Sequence, residues 1–130
     1  MNGLHLTADL RGCLAGGATG AAPVRTNLSD VQALRTLCLD AVASAGLCAV
    51  AELFHRFPAP GGVTGVVLLA ESHLALHTWP EHEAVTLDVY VCNVGADNSA
   101  RAEHLMQLLR QSFAAQSVHL QRLQRGSVAD

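Results

Sequence analysis

Leu69–Asn93 reads LAESHLALHTWPEHEAVTLDVYVCN, and its two alternating runs decide the fold. His73 to Trp79 forms one strand, closed by Pro80, and Val85 to Cys92 forms the next, with Val85, Leu87, Val89 and Val91 on one face. Pro80 to Glu83 is then a hairpin turn. A register centred near His82 sets Ser72 opposite Cys92. The preceding run, Val63 to Leu69, is nearly all apolar and predicts a strand buried on both faces. With its link to the next strand at Ala70-Glu71, Thr64 stands opposite His77. Ser72 and His77 then lie about 16 Å apart along one strand and on opposite faces. One chain hardly brings them together. Two chains related by a two-fold axis would set Ser72 and Cys92 of one against Thr64 and His77 of the other.

Outward from this hairpin pair, Leu47 to Phe57 is a further strand, ended by Pro58-Ala59-Pro60-Gly61-Gly62. A helix starts near Ser29, where Ser29 and Gln32 have capping-box spacing. Val31, Leu34, Cys38, Ala41, Val42 and Ala45 recur at helical spacing, and Gly46 stops the run. Gly12 to Pro23 reads as a loop, and Leu4 to Leu10 alternates as a first strand. Beyond Asn93, Asn98 caps a second helix running to about Ala115, with Ala102, Leu105, Leu109 and Ser112 on its inner side. Val118 to Leu123 is the last strand. The order strand, helix, four strands, helix, strand implies an α+β fold: a two-layer α/β sandwich whose mainly antiparallel sheet carries both helices on one face. The other face has no cover in this chain. A dimer packed sheet on sheet would supply one.

At 130 residues this is one domain, 1–130. Half of the residues are hydrophobic and only 4% aromatic, so Ala, Val and Leu must build the core. A net charge of −3 without a basic run argues against a nucleic-acid partner and against a polybasic membrane surface. The opening MNGLHLTADLRGC has no basic region followed by an apolar core, so no signal peptide is expected. No apolar run reaches the roughly 18 residues of a membrane span. Cys13, Cys38, Cys48 and Cys92 form no CxxC pair; such cysteines read as small buried hydrophobes of a reducing, cytoplasmic compartment, with Cys92 excepted because of its surroundings. His73 and His77 with Cys92 lack the spacing of a zinc finger, and no metal is expected.

AESHLALHTWPE followed by Cys92 resembles the central motif of the prokaryotic S-adenosylmethionine decarboxylase proenzymes. The flanks are similar too: HLTADLRGC resembles that family's first strand, and ELFHRF followed by GVTGVVLL its second and third. The likeness spans nearly the whole chain, in order. It implies cleavage between Glu71 and Ser72 into a β chain of residues 1–71 and an α chain of residues 72–130. Ser72 would become a covalent pyruvoyl group, the cofactor that forms a Schiff base with the substrate. The resemblance makes His77 the processing base, Thr64 the processing hydroxyl and Cys92 the proton donor. Phe57 and Trp79 match positions near the substrate's sulfonium, and Glu81 matches the carboxylate that accepts from the ribose hydroxyls. The implied partners are S-adenosylmethionine and a second copy of the cleaved chain, with shared active sites; the implied product serves spermidine biosynthesis.

Two departures stand out. Thr64 replaces the serine of most family members, keeping the hydroxyl on a stiffer side chain. His82-Glu83-Ala84 replaces the usual Tyr-Gly-Tyr. The same chemistry would also serve a decarboxylase of ornithine or arginine, and the fold would also serve a non-catalytic partner subunit. Phe57, Trp79 and Glu81 favour the nucleoside substrate, and intact Glu71, Ser72, His77 and Cys92 favour an enzyme.

Overall fold

The computed structural model describes residues 2–13, 27–93 and 95–126. Its strands are β1 (Gly3–Arg11), β2 (Ala49–Arg56), β3 (Val63–Leu69), β4 (Ser72–Trp79), β5 (Ala84–Cys92) and β6 (Ser117–Arg125). They form one antiparallel sheet in the order β2-β3-β4-β5-β1-β6. Consecutive strands β2 to β5 join by short hairpins. β1 is the exception, inserted between β5 and β6, both far from it in sequence.

Strand alternation places Leu4, Leu6, Ala8 and Leu10 of β1 beside Val85, Leu87, Val89 and Val91 of β5, all fully buried. Helices α1 (Val31–Ser44) and α2 (Ser99–Phe113) cover this face with Leu34, Cys38 and Val42, and with Ala102, Leu105, Met106, Leu109 and Phe113. Burial among aliphatic groups pushes the Cys38 thiol up to about 12 and the Cys13 thiol up to about 11, so both stay protonated and inert.

Local chemistry explains where the elements depart from expectation. Asp30, not Ser29, is the N-cap of α1, and its Oδ1 accepts the Ala33 N–H at 3.0 Å. The inner face of α2 ends on Phe113 rather than Ser112, whose hydroxyl donates back to the Leu108 carbonyl. β3 is covered on one face only: Val63, Val67 and Leu69 are buried, while Leu68 on the open face is 47% exposed. Its apolar run includes a second face that the described residues leave bare. The loop expected over Gly12–Pro23 lies outside the described residues except for Gly12 and Cys13. No described helix is long and apolar enough to cross a membrane.

Thr78 is the one buried polar side chain of the described core, 3% exposed. Its hydroxyl donates to the Leu28 carbonyl at 2.7 Å and accepts the Val63 N–H at 2.9 Å. It therefore ties the segment before α1 to the start of β3. Thr78→Val keeps the shape and strands both backbone groups. The expected loss is about 2–4 kcal/mol of unfolding free energy in urea titration. A change under half a kcal/mol would show that the two groups find other partners.

Candidate active site

β3 and β4 meet in the register expected from the sequence, from Thr64↔His77 to Leu69↔Ser72. This leaves Ala70 and Glu71 as a two-residue link. Glu71 is exposed and has φ 53°, a left-handed conformation in which a side chain costs of order 1–3 kcal/mol. The Glu71–Ser72 peptide bond thus sits at a strained, accessible corner. Strand pairing holds the chain on both sides of it.

β4 and β5 pair from His73↔Tyr90 to Trp79↔Ala84, one residue away from a register centred on His82. The cause is the turn. Pro80–His82 forms a 3-10 helix closed by left-handed Glu83, whose N–H donates to the Pro80 carbonyl at 3.1 Å. Four residues therefore separate the last pair, and Ser72 is not directly opposite Cys92. The two still meet, because the Cys92 backbone N–H donates to Ser72 Oγ at 3.1 Å. Cys92 is held from its other side as well, its carbonyl accepting from Asn98 Nδ2 at 3.1 Å.

At the far end of β4, on the open face, Thr64 Oγ1 and His77 Nδ1 are 3.0 Å apart. The His77 ring lies 5.8 Å from that of Trp79, and the His55 ring, beside Thr64, lies 4.6 Å from that of Phe57. Phe57 and Trp79 are 49% and 38% exposed, so the Thr64–His77 pair is flanked by two accessible aromatic faces. Trp79 also walls a cleft of about 310 Å³ with Asp9, Arg11, His82 and Thr86. Glu81 is exposed on the adjoining turn and stands outside the walls of that cleft. Ser72 and His77 occupy opposite ends and opposite faces of β4, so within one chain the Ser72–Cys92 and Thr64–His77 pairs, two candidate half-sites, stay apart.

Between the half-sites a row of rings crosses the open face. His73 stacks on Tyr90 at 5.6 Å, and His5 meets Tyr90 edge-on at 6.0 Å. His5 Nδ1 is 3.1 Å from Arg125 Nη1, and the Arg125 guanidinium lies 5.7 Å from the Tyr90 ring centre. His5 Nε2 is 3.3 Å from Asp88 Oδ1, misaligned for a hydrogen bond. Burial, then the charges of His5 and Arg125, hold His73 below the ordinary histidine range, with Asp88 pulling the other way. The unfolded chain then binds the proton more readily than the folded one. Stability should be full above about pH 6.5 and decline as pH falls below it. Thermal melts between pH 8 and 5 should show a shallower decline in His73→Phe than in the parent; equal slopes would assign the effect elsewhere.

His73, His77 and Cys92 do not gather, and no group of three His, Cys, Asp or Glu suited to a metal occurs among the described residues. Two contributors were missed from the sequence. Thr78 looked like any strand residue, and Asn98 looked like a helix cap. Asp97 serves the first turn of α2 instead, its Oδ1 accepting the Ser99 N–H at 2.9 Å. The run Asp97-Asn98-Ser99 carries more capping residues than one helix needs, and that surplus was the available signal.

The chain is similar to known proteins over nearly its whole length. A family model described as S-adenosylmethionine decarboxylase matches residues 4–126. The S-adenosylmethionine decarboxylase proenzyme of Persephonella marina is 38% identical over 109 residues, covering 83% of this chain and 73% of its own. That of Aquifex aeolicus is 36% identical over 117 residues, covering 90% and 78%. The crystal structure of the adenosylmethionine decarboxylase from Aquifex aeolicus superposes with a TM-score of 0.79 at 34% identity, over 98% of this chain and 93% of that one.

Proposed function

Because the chain belongs to the S-adenosylmethionine decarboxylase family, we propose that it is made as a proenzyme that cuts its own Glu71–Ser72 bond. It then decarboxylates S-adenosylmethionine in sites shared by two copies, providing the aminopropyl donor for spermidine. One observation carries this reading: a strained, exposed Glu71 precedes a serine whose Oγ is already held beside Cys92.

The steps follow from the residues. Ser72 Oγ attacks the Glu71 carbonyl, its proton passes to the Ser72 nitrogen as the C–N bond breaks, and an ester replaces the amide. A base removes the Ser72 α-proton, and the Cβ–Oγ bond breaks with its electron pair passing to the Glu71 carboxylate. Hydrolysis of the dehydroalanine releases ammonia and leaves a pyruvoyl ketone. His77 is the base. With its proton on Nδ1, the ring donates to Thr64 Oγ1 and keeps an unprotonated Nε2 to accept a proton. Since β4 separates His77 from its own Ser72, that base is the partner's His77.

The pyruvoyl group supplies an electrophilic carbonyl that takes up the electrons released with CO2. Cutting at Ser72 suits such a group, because the new terminus begins a strand paired on both sides. Cys92, whose backbone N–H reaches Ser72 Oγ, would supply the proton returned to the substrate carbon from its thiol. Phe57 and Trp79 offer faces to a sulfonium cation, and Glu81 offers a carboxylate to ribose hydroxyls. Dimerisation is favoured by the open sheet face, where Leu53, Leu68 and Leu123 are 69%, 47% and 45% exposed.

Release of labelled CO2 from carboxyl-labelled S-adenosylmethionine, compared with ornithine and arginine, tests the activity. Release from the nucleoside substrate alone is expected. Preference for a free amino acid would overturn the assignment of Phe57, Trp79 and Glu81.

A further inference from the structure

Asn98 occupies the N-cap position of α2, yet its side chain caps nothing. Its amide donates instead to the Cys92 carbonyl, and its backbone N–H is held by Asn93 Oδ1 at 2.8 Å. Asn93 Nδ2 in turn donates to Ser99 Oγ at 3.1 Å, and the Asn93 N–H donates to the Asn2 carbonyl at 2.8 Å. The last peptides of β5 are thus clamped to the start of α2. The Cys92 N–H points from that clamp at Ser72 Oγ.

We infer that Asn98 is a positioning residue for self-cleavage, acting through the Cys92 backbone N–H as a fixed donor to Ser72 Oγ. This rests on the proposed cut before Ser72. One atom links the steps: Oγ is the nucleophile in the acyl shift, the bridging oxygen of the ester, and the oxygen that receives the electron pair when Cβ–Oγ breaks. Negative charge grows on it in the elimination, where it becomes part of the Glu71 carboxylate. A donor already aimed at that atom stabilises the elimination more than the initial attack, for which an N–H on the hydroxyl does little. After the cut the same N–H holds the new carboxylate.

The test is carried out on the full chain, purified early and followed by intact mass. Asn98→Ala and Asn98→Asp should slow formation of the mature fragments about tenfold, the worth of one hydrogen bond to a charged group. Uncut-mass chain should accumulate as ester, which hydroxylamine splits into a β fragment ending in a hydroxamate and an α fragment beginning with intact Ser72. Asp97→Ala, which perturbs the first turn of α2 without touching Cys92, should lower the melting temperature and leave the ester fraction at parent level. Parent-like kinetics in both Asn98 variants would overturn the inference, and so would slow cleavage with no hydroxylamine-sensitive chain. A parent chain that never cleaves would instead refute the proposed function.

Discussion

Ser72→Ala should leave a single 13.6 kDa chain, uncut after long incubation and inactive toward S-adenosylmethionine. On the proposed mechanism the substitution removes the attacking atom and, with it, the precursor of the reactive carbonyl. The loss should therefore be complete rather than partial. Little else changes: the backbone pair Leu69↔Ser72 persists, and the Cys92 N–H loses one partly buried acceptor, worth about 1 kcal/mol. Intact-mass spectrometry and circular dichroism on one sample separate the outcomes. A folded Ser72→Ala protein that still splits before residue 72 would eliminate the hydroxyl mechanism.

Co-expression of Ser72→Ala with His77→Ala chains should restore cleavage that neither chain shows alone. In the proposed shared sites, the homodimer of either variant lacks one component at both sites. Losing a positioned general base costs about 10²- to 10⁴-fold, enough to make His77→Ala silent on the expression timescale. In a mixed dimer, one site joins Ser72 and Cys92 of the His77→Ala chain with Thr64 and His77 of the other. Only the His77→Ala chain should then be cut, in about half of its copies if pairing is random. Distinct affinity tags identify the split chain by mass. No cleavage in the mixture would return His77 to its own Ser72, against their placement on opposite faces of β4.

Much of this was readable from alternation alone. The β3–β4 register followed because a two-residue link admits one pairing, and the open sheet face followed from counting helices against sheet faces. The β4–β5 register slipped by one because Pro80-Glu81-His82 coils into a 3-10 turn, which polar composition does not reveal. Ser29 lost the cap of α1 to Asp30 since either residue satisfies the same rule, and only backbone geometry chooses. The apolar run of β3 reads as doubly buried because apolar residues on an open face and those under a helix are written in the same alphabet. Asn98 was hidden differently. Its role depends on Cys92, six residues earlier, being turned toward Ser72 by tertiary pairing.

The place of β1 bears on what maturation makes irreversible. On the proposed cut, residues 1–71 own β1, β2, β3 and α1, while β4, β5, β6 and α2 belong to the other piece. In the order β2-β3-β4-β5-β1-β6 the pieces are interlaced: they meet at β3/β4, at β5/β1 and again at β1/β6. The nicked molecule cannot drift apart like beads on a cut string, since separation requires unzipping three seams at once. Its assembly history matters all the same. An uncut chain folds as a first-order process at any dilution, whereas two severed pieces must find each other by diffusion. Maturation therefore trades a fold that can be regained alone for one that, once lost, returns only at high concentration.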